Sequence, residues 1–317
     1  MHYHLLTALL VAFELLLSAC QPPAPLARAL EDLGFTVQPK AVRFAVIGDS
    51  GTGYTAQYEI GDWMQAYHEV FPFDFVIMLG DNLYGGFSTT DYEAKFRLPY
   101  KPLLDKKVAF YAALGNHDST AETFFVPFHM GGERFYAFTK GNARFFVLDS
   151  TYLDAAQLRW LEKELRATDT DWKIVYMHHP IYSAGSYHSV DPELRRVLEP
   201  LFLKYGVDVV FSGHEHFYER LQPQHGITYF TSGAAGKLHH RKLTQPYLSA
   251  AGYDADLHFM LIEIAGDDLA YRAISRTGKV VDSGVLQRTS HPAGEARTPT
   301  PLRSQRLSDP RVERASE

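Results

Sequence analysis

Val207-Asp208-Val209-Val210-Phe211-Ser212-Gly213-His214-Glu215-His216 is an apolar run that stops on a glycine and then presents two histidines one residue apart. A short β-branched and aromatic run of this kind reads as a buried strand. Two imidazoles at i and i+2 in the turn behind it can serve adjacent cations. Four other segments repeat the arrangement, an apolar run followed at once by potential ligands: Gly48-Asp49-Ser50-Gly51, Gly80-Asp81-Asn82-Leu83-Tyr84, Gly115-Asn116-His117-Asp118 and Val175-Tyr176-Met177-His178. One Gly-Asp after a strand is an ordinary turn. Five such segments in one chain are not. In α/β sheets ligands bind outside the carboxyl ends of strands, so the five loops are expected to converge on one edge.

Around these segments the pattern alternates between strands and helices. Val42 to Asp49, Phe73 to Gly80, Val108 to Leu114, Lys173 to Met177 and Ile227 to Thr231 read as strands. Arg134 to Phe138 and Ala143 to Asp149 flank Lys140-Gly141-Asn142, a hairpin signal. Ile60, Trp63, Met64 and Tyr67 form the stripe of a core-facing helix. Asp154 with Gln157 reads as a capping box ahead of Leu158, Leu161 and Leu165. Asp191-Pro192 opens a third helix carrying Leu194, Val197, Leu198 and Leu201. Phe259 to Ile264, Ala270 to Ser275 and Val280 to Leu286 read as a closing antiparallel meander. This order predicts one α/β domain, with two sheets packed together and helices outside.

Composition narrows the function classes. A hydrophobic fraction of 46% supports a sizeable core and excludes a disordered chain. A net charge of -6 argues against a generic nucleic-acid binder. One cysteine excludes a disulfide framework and a Cys-rich zinc site. That residue, Cys20, ends Leu17-Ser18-Ala19-Cys20 behind the short apolar run Leu5 to Leu17. The run is shorter than a spanning helix and has the length of a signal-peptide core. Residues 1–20 are therefore expected to be a signal peptide of lipoprotein type, for Leu-Ser-Ala-Cys resembles the bacterial lipoprotein box. Residues 21–40 follow as a linker, 41–288 as the catalytic domain, and 289–317, rich in Pro, Ser, Thr and Arg, as a disordered tail. The expected location is the cell envelope after export, lipid-anchored through Cys20, or else periplasmic or secreted.

The five segments, in this order, resemble the signature of the calcineurin-like metallophosphoesterases. Tyr84, three residues after Asp81, narrows the resemblance to the purple acid phosphatases, particularly their small tartrate-resistant-acid-phosphatase-like type. The resemblance runs from about Val42 to Leu286. It implies a four-layer αββα sandwich, two packed mixed β-sheets flanked by helices. It also implies that Asp49, Tyr84 and His216 bind a first metal, that Asn116, His178 and His214 bind a second, and that Asp81 bridges them. Carboxylate and phenolate suit Fe(III), while imidazole and amide oxygen suit a divalent zinc, iron or manganese. Metals of +3 and +2 against three anionic ligands and a hydroxide leave about +1, which attracts a phosphate dianion. The implied activity is acid phosphatase-type hydrolysis of phosphoesters. Small molecules or phosphoproteins are the expected substrates, nucleic acid is not an expected partner, and the membrane is met only through a lipidated Cys20.

Further roles follow by position. His117 is the expected proton donor to the leaving group. Asp118 is expected to orient His117, and His188 to be a second substrate histidine. His179 is expected to alternate to the far side of its strand, Glu215 to face outward, and His239 and His240 to be solvated loop histidines. Two other readings stand beside this one. A phosphodiesterase or nucleotidase with two manganese ions would not need Tyr84. An inactive lipoprotein binding module on the same scaffold would be expected to have lost ligands.

Overall fold

In β1 (Val42–Ile47), Phe44 and Val46 face one apolar layer while Ala45 and Ile47 face another. A strand with both faces covered must lie between two layers. The computed structural model describes residues 35, 38, 40–186, 188, 190–240, 243 and 248–288. The expected signal peptide with Cys20, nearly all of the linker and the tail from 289 lie outside the described residues. Among the described residues no helix is long and apolar enough to cross a membrane.

β1 pairs in parallel with β2 (Phe75–Met78), and β2 with β3 (Ala109–Ala112). On its other side β1 meets the antiparallel meander β11 (His258–Ala265), β12 (Asp268–Ser275) and β13 (Val280–Gln287), which gives the order β13-β12-β11-β1-β2-β3. The second sheet has the order β10 (Ser249–Tyr253), β8 (Tyr218–Leu221), β9 (Thr228–Ser232), β7 (Val209–Ser212), β6 (Trp172–Met177), β5 (Ala143–Val147), β4 (Tyr136–Lys140). Its β5, β6, β7 and β9 are parallel.

The sheets share a core that includes Phe44, Phe75, Phe145, Trp172, Phe211 and Ile262. Helix α1 (Thr55–His68) covers the outer face of the first sheet through Ile60, Met64 and Tyr67. Helices α2 (Ala155–Arg166) and α3 (Pro192–Tyr205) cover the second through Leu161, Leu165, Leu194, Leu198 and Phe202. The expected sandwich of two mixed sheets flanked by helices is the observed fold.

Local departures have local causes. The hairpin strand β4 is Tyr136–Lys140, about two residues later than expected, because the turn tightens onto Gly141 at φ 53°. Asp154 caps α2 by accepting from the Gln157 amide at 2.8 Å, but Gln157 does not complete a capping box. Its side chain bonds both the N–H and the C=O of Asp149, at 2.9 and 3.1 Å. Strands β8 (Tyr218–Leu221) and β10 (Ser249–Tyr253) were not expected from sequence. Glu219 and Arg220 hide the first, where the buried Glu219 carboxylate accepts from the Ala184 amide and the Ser249 hydroxyl, and Arg220 binds Asp282. Small residues hide the second.

Candidate metal centre

Asp49, Asp81 and Asn116 follow three neighbouring parallel strands of one sheet, and His178, His214 and His216 follow two of the other. The carboxyl ends of both sheets meet at this edge, where Asp49 Oδ2 accepts from the His214 amide at 2.8 Å. Asp49, Asp81 and His214 hold left-handed backbones, with φ of 54°, 53° and 68°. Such conformations are costly for residues with a Cβ and gather at functional sites. Close approach adds a second constraint, since a Cβ at Gly115 would lie 2.3 Å from Asp81 Oδ1 and one at Gly213 2.5 Å from Asp49 Oδ2.

The seven expected ligands meet in two groups. Asp49 Oδ1, Tyr84 OH and His216 Nε2 form a triangle with edges of 3.2, 3.2 and 3.3 Å. His178 Nε2 lies 3.0 Å from Asn116 Oδ1, 3.2 Å from His214 Nδ1 and 3.4 Å from Asp81 Oδ1. Asp81 also clusters with Asp49 and His216, so it stands between the groups. Metal bonds of about 2.0–2.2 Å put neighbouring donors roughly 3.0–3.5 Å apart, so both sets have the spacing of a coordination shell.

Protonation fits the same reading. His178 Nδ1 donates to the Leu79 carbonyl at 2.9 Å, which leaves the Nε2 lone pair facing the site. Burial holds His178 and His214 well below the usual imidazole range, and His216 at about 4, so all three are neutral imidazoles near pH 7. Burial and then the Asp81 charge push Asp49 well above the carboxylate range. Burial and then the Asp49 charge push Tyr84 well above its phenol value. Buried acids that resist ionisation without a cation, beside imidazoles that resist protonation, make a donor set suited to metal.

Several residues differ from expectation. Asp118 does not reach the His117 imidazole. Its carboxylate accepts from the amides of Gly115, Asn82 and Leu83 at 2.8, 2.7 and 3.1 Å and from Asn82 Nδ2 at 2.8 Å, tying two ligand loops together. His117 is exposed, 5.0 Å from the Tyr84 ring, and its backbone donates to Asp81 Oδ1 at 3.0 Å. His188 stacks on His214 at 4.0 Å. Glu215 is buried rather than outward, and accepts from the His188 amide at 3.1 Å. His179 lies 4.4 Å from His214, with Nδ1 on Ser150 Oγ at 2.9 Å, so it borders the site instead of leaving it. His239 is not a free loop histidine but stacks on His216 at 4.1 Å. Sequence reading also passed over Lys237, whose Nζ stands 3.6 Å from the Tyr84 ring centroid. Its one visible signal is that it follows β9, a parallel strand ending on the same edge.

Glu122 was missed as well. It is fully buried and pushed up to about 9 by burial and then by Asp118, while Asp118 is pushed up to about 8 by burial and then by Asp81. Both acids have folded pKa values above their unfolded ones. Their contribution is therefore complete below the unfolded carboxyl range and is lost as pH rises toward the folded values. The candidate ligand histidines titrate in the opposite sense, but below about pH 6.5. Metal-free protein is thus expected to lose stability from about pH 7 to pH 9, by up to about 1.4 kcal/mol per pH unit for the one proton that the pair shares. Glu122→Gln should flatten the decline. Thermal melts across this window check it, and a flat or rising Tm for the wild-type chain would contradict it.

Comparison with known proteins agrees with the geometry. Residues 42–218 match the family model of the calcineurin-like phosphoesterases. Over 303 residues the chain is 26% identical to tartrate-resistant acid phosphatase type 5 of Homo sapiens, spanning 80% of this chain and 93% of that one. Over 237 residues it is 31% identical to purple acid phosphatase 17 of Arabidopsis thaliana, 62% of this chain and 69% of that one. Purple acid phosphatase PPD1 from yellow lupin (Lupinus luteus) seeds shares the fold, with a TM-score of 0.70 at 20% identity over 84% of this chain and 58% of that structure. The chain belongs to the calcineurin-like phosphoesterases and, within them, to the purple acid phosphatase family. It is a metal-dependent hydrolase of phosphoesters.

Proposed function

We propose that the chain is an acid phosphatase-type phosphomonoesterase whose site holds Fe(III) beside a divalent zinc, iron or manganese. The observation that carries this reading is the triangle of Asp49, Tyr84 and His216, a carboxylate, a phenol and an imidazole with edges of 3.2–3.3 Å. In that pocket Tyr84 resists ionisation, so its use as a phenolate ligand requires a strongly polarising cation. Asn116, His178 and His214 would hold the divalent ion, and Asp81 would bridge. When bound, such a pair supplies Lewis acidity and an acidified water.

The protein's own groups complete the chemistry. Hydrolysis forms one P–O bond from water and breaks the ester P–O bond. The departing alkoxide then needs a proton. His117, exposed beside Tyr84 and tied through its backbone to Asp81, would supply it. His188, stacked on His214 with its amide held by Glu215, would orient the phosphate. Alkyl phosphates leave as strongly basic alkoxides and need the proton in the transition state; nitrophenolate needs it far less. His117→Ala is therefore expected to cost about 10- to 1000-fold on an alkyl phosphate and distinctly less on 4-nitrophenyl phosphate. His188→Ala should weaken both alike, mainly in KM. Equal losses for the two leaving groups in metal-loaded His117→Ala would remove His117 from the acid role.

Export with acylation of Cys20 would place this activity on the cell envelope. Mass analysis of the mature N-terminus tests it. A chain that keeps Met1 would exclude that processing.

A further inference from the structure

β9, like β5, is a parallel strand whose carboxyl end contributes no expected ligand, yet its outgoing loop, Gly233-Ala234-Ala235-Gly236-Lys237-Leu238-His239, crosses the mouth of the site. Backbone bonds fix that loop along its length. The Gly233 amide donates to Phe217 at 3.2 Å, Ala235 to Gly48 at 3.1 Å and His239 to His216 at 2.9 Å. Gly236 packs so tightly on the first ligand loop that a Cβ there would lie 2.3 Å from the Ser50 carbonyl oxygen. Lys237 is thus presented from a braced arc.

The ammonium of Lys237 stands 3.6 Å from the Tyr84 ring centroid, well inside cation–π range. The ring has electrons to offer one side of the ammonium but no hydrogen-bond acceptor for its three donors. Among the described residues Lys237 has neither a hydrogen bond nor an ion pair. Lys95, also beside Tyr84, is engaged by contrast, donating to the Tyr84 carbonyl at 2.6 Å and pairing with Asp91. Next to Lys237 on the same loop, His239 stacks on His216, and its ring lies 5.9 Å from that of His188. Lys237 is therefore the cation on this side of the mouth, over Tyr84 and within electrostatic reach of Asp49, and the loop that carries it has no carboxylate of its own. The Lys237 ammonium is half-buried and open to solvent at the mouth, so an anion arriving there can take its N–H donors in charge-assisted hydrogen bonds.

We propose that Lys237, beside Tyr84 and His239, forms a second anion subsite that receives a further phosphate or carboxylate carried on the alcohol portion of the substrate. The preferred substrate class is then a phosphomonoester with a second negative group, a refinement that rests on the phosphomonoesterase reading above. The scissile phosphate meets the metal ligands, the second anion meets Lys237, and the bonds made and broken are unchanged.

Three substrates on one propyl chain test this: 3-hydroxypropyl phosphate, propane-1,3-diyl bisphosphate and 3-(phosphonooxy)propanoate. Metal-loaded wild-type protein should show a kcat/KM about 10- to 100-fold higher for at least one doubly anionic substrate than for the hydroxypropyl ester, the gain of one charge-assisted contact, and mainly through KM. The bisphosphate and carboxylate arms tell which anion the subsite takes. Lys237→Met should bring the ratio to within about twofold, Lys237→Arg should retain most of it, and added salt should lower it. Each ratio is taken within one protein, so partial misfolding of a variant cancels. A wild-type ratio below about two, or an unchanged ratio in Lys237→Met, would overturn the subsite. Failure of metal-loaded wild-type protein to hydrolyse any of the three would overturn the monoesterase reading and the subsite with it.

Discussion

Asp81→Asn is expected to lower phosphoester hydrolysis by at least about a thousandfold and to release both metals together. Asp81 is buried, lies 3.4 Å from His178 Nε2 in one donor group, and clusters with Asp49 and His216 in the other. Among the described residues Asp81 is the carboxylate that approaches both groups. Asparagine keeps the shape and tolerates the left-handed backbone at φ 53°, so the substitution changes charge and leaves the turn intact. It also sets an amide where Asp81 Oδ1 now accepts from the His117 amide at 3.0 Å. Metal content and kcat/KM measured on the same preparation decide the matter. A variant keeping both metals and half the activity would take Asp81 out of the bridging role.

Tyr84→Phe should bleach the protein. A phenolate on Fe(III) gives a visible charge-transfer band, so oxidised wild-type protein is expected to be purple or violet and the variant colourless. The ring itself should stay in place, since it packs beside His117 and under Lys237 through its face. Loss of the hydroxyl removes one corner of the Asp49–Tyr84–His216 triangle and leaves the other two 3.2 Å apart. Iron-loaded wild-type protein with no visible band in its oxidised form would point to a centre without a phenolate. The two-manganese diesterase reading would then stand in its place.

The layers were legible because burial leaves a periodic trace. The alternate sides of β1 feed two different cores, and the stripe Ile60, Met64 and Tyr67 faces one of them. The strands β8 and β10 left no such trace. Glu219 is a charged residue whose burial depends on a partner thirty positions away, and Ser249 to Tyr253 becomes a strand only by pairing with β8. The loops carrying the seven candidate ligands could be read for a different reason, since the chemistry-bearing residues sit directly behind apolar runs. What surrounds them could not. Gln157 turns back to Asp149, Glu215 turns inward to the His188 amide, and Asp118 gathers loop amides rather than an imidazole. Each of these contacts depends on how a loop returns, and residue spacing does not encode that return. Lys237 was overlooked, and His239 was expected to be a solvated loop residue, because nothing at their positions shows that the loop after β9 is pinned to Gly48 and His216.

Elemental analysis of protein purified without chelator tests the dinuclear iron reading most directly. The expected result is two metal ions per chain, one of them iron and the other zinc, iron or manganese, with both lost in Asp81→Asn. Two manganese ions without iron, or a single ion per chain that Asp81→Asn retains, would contradict it.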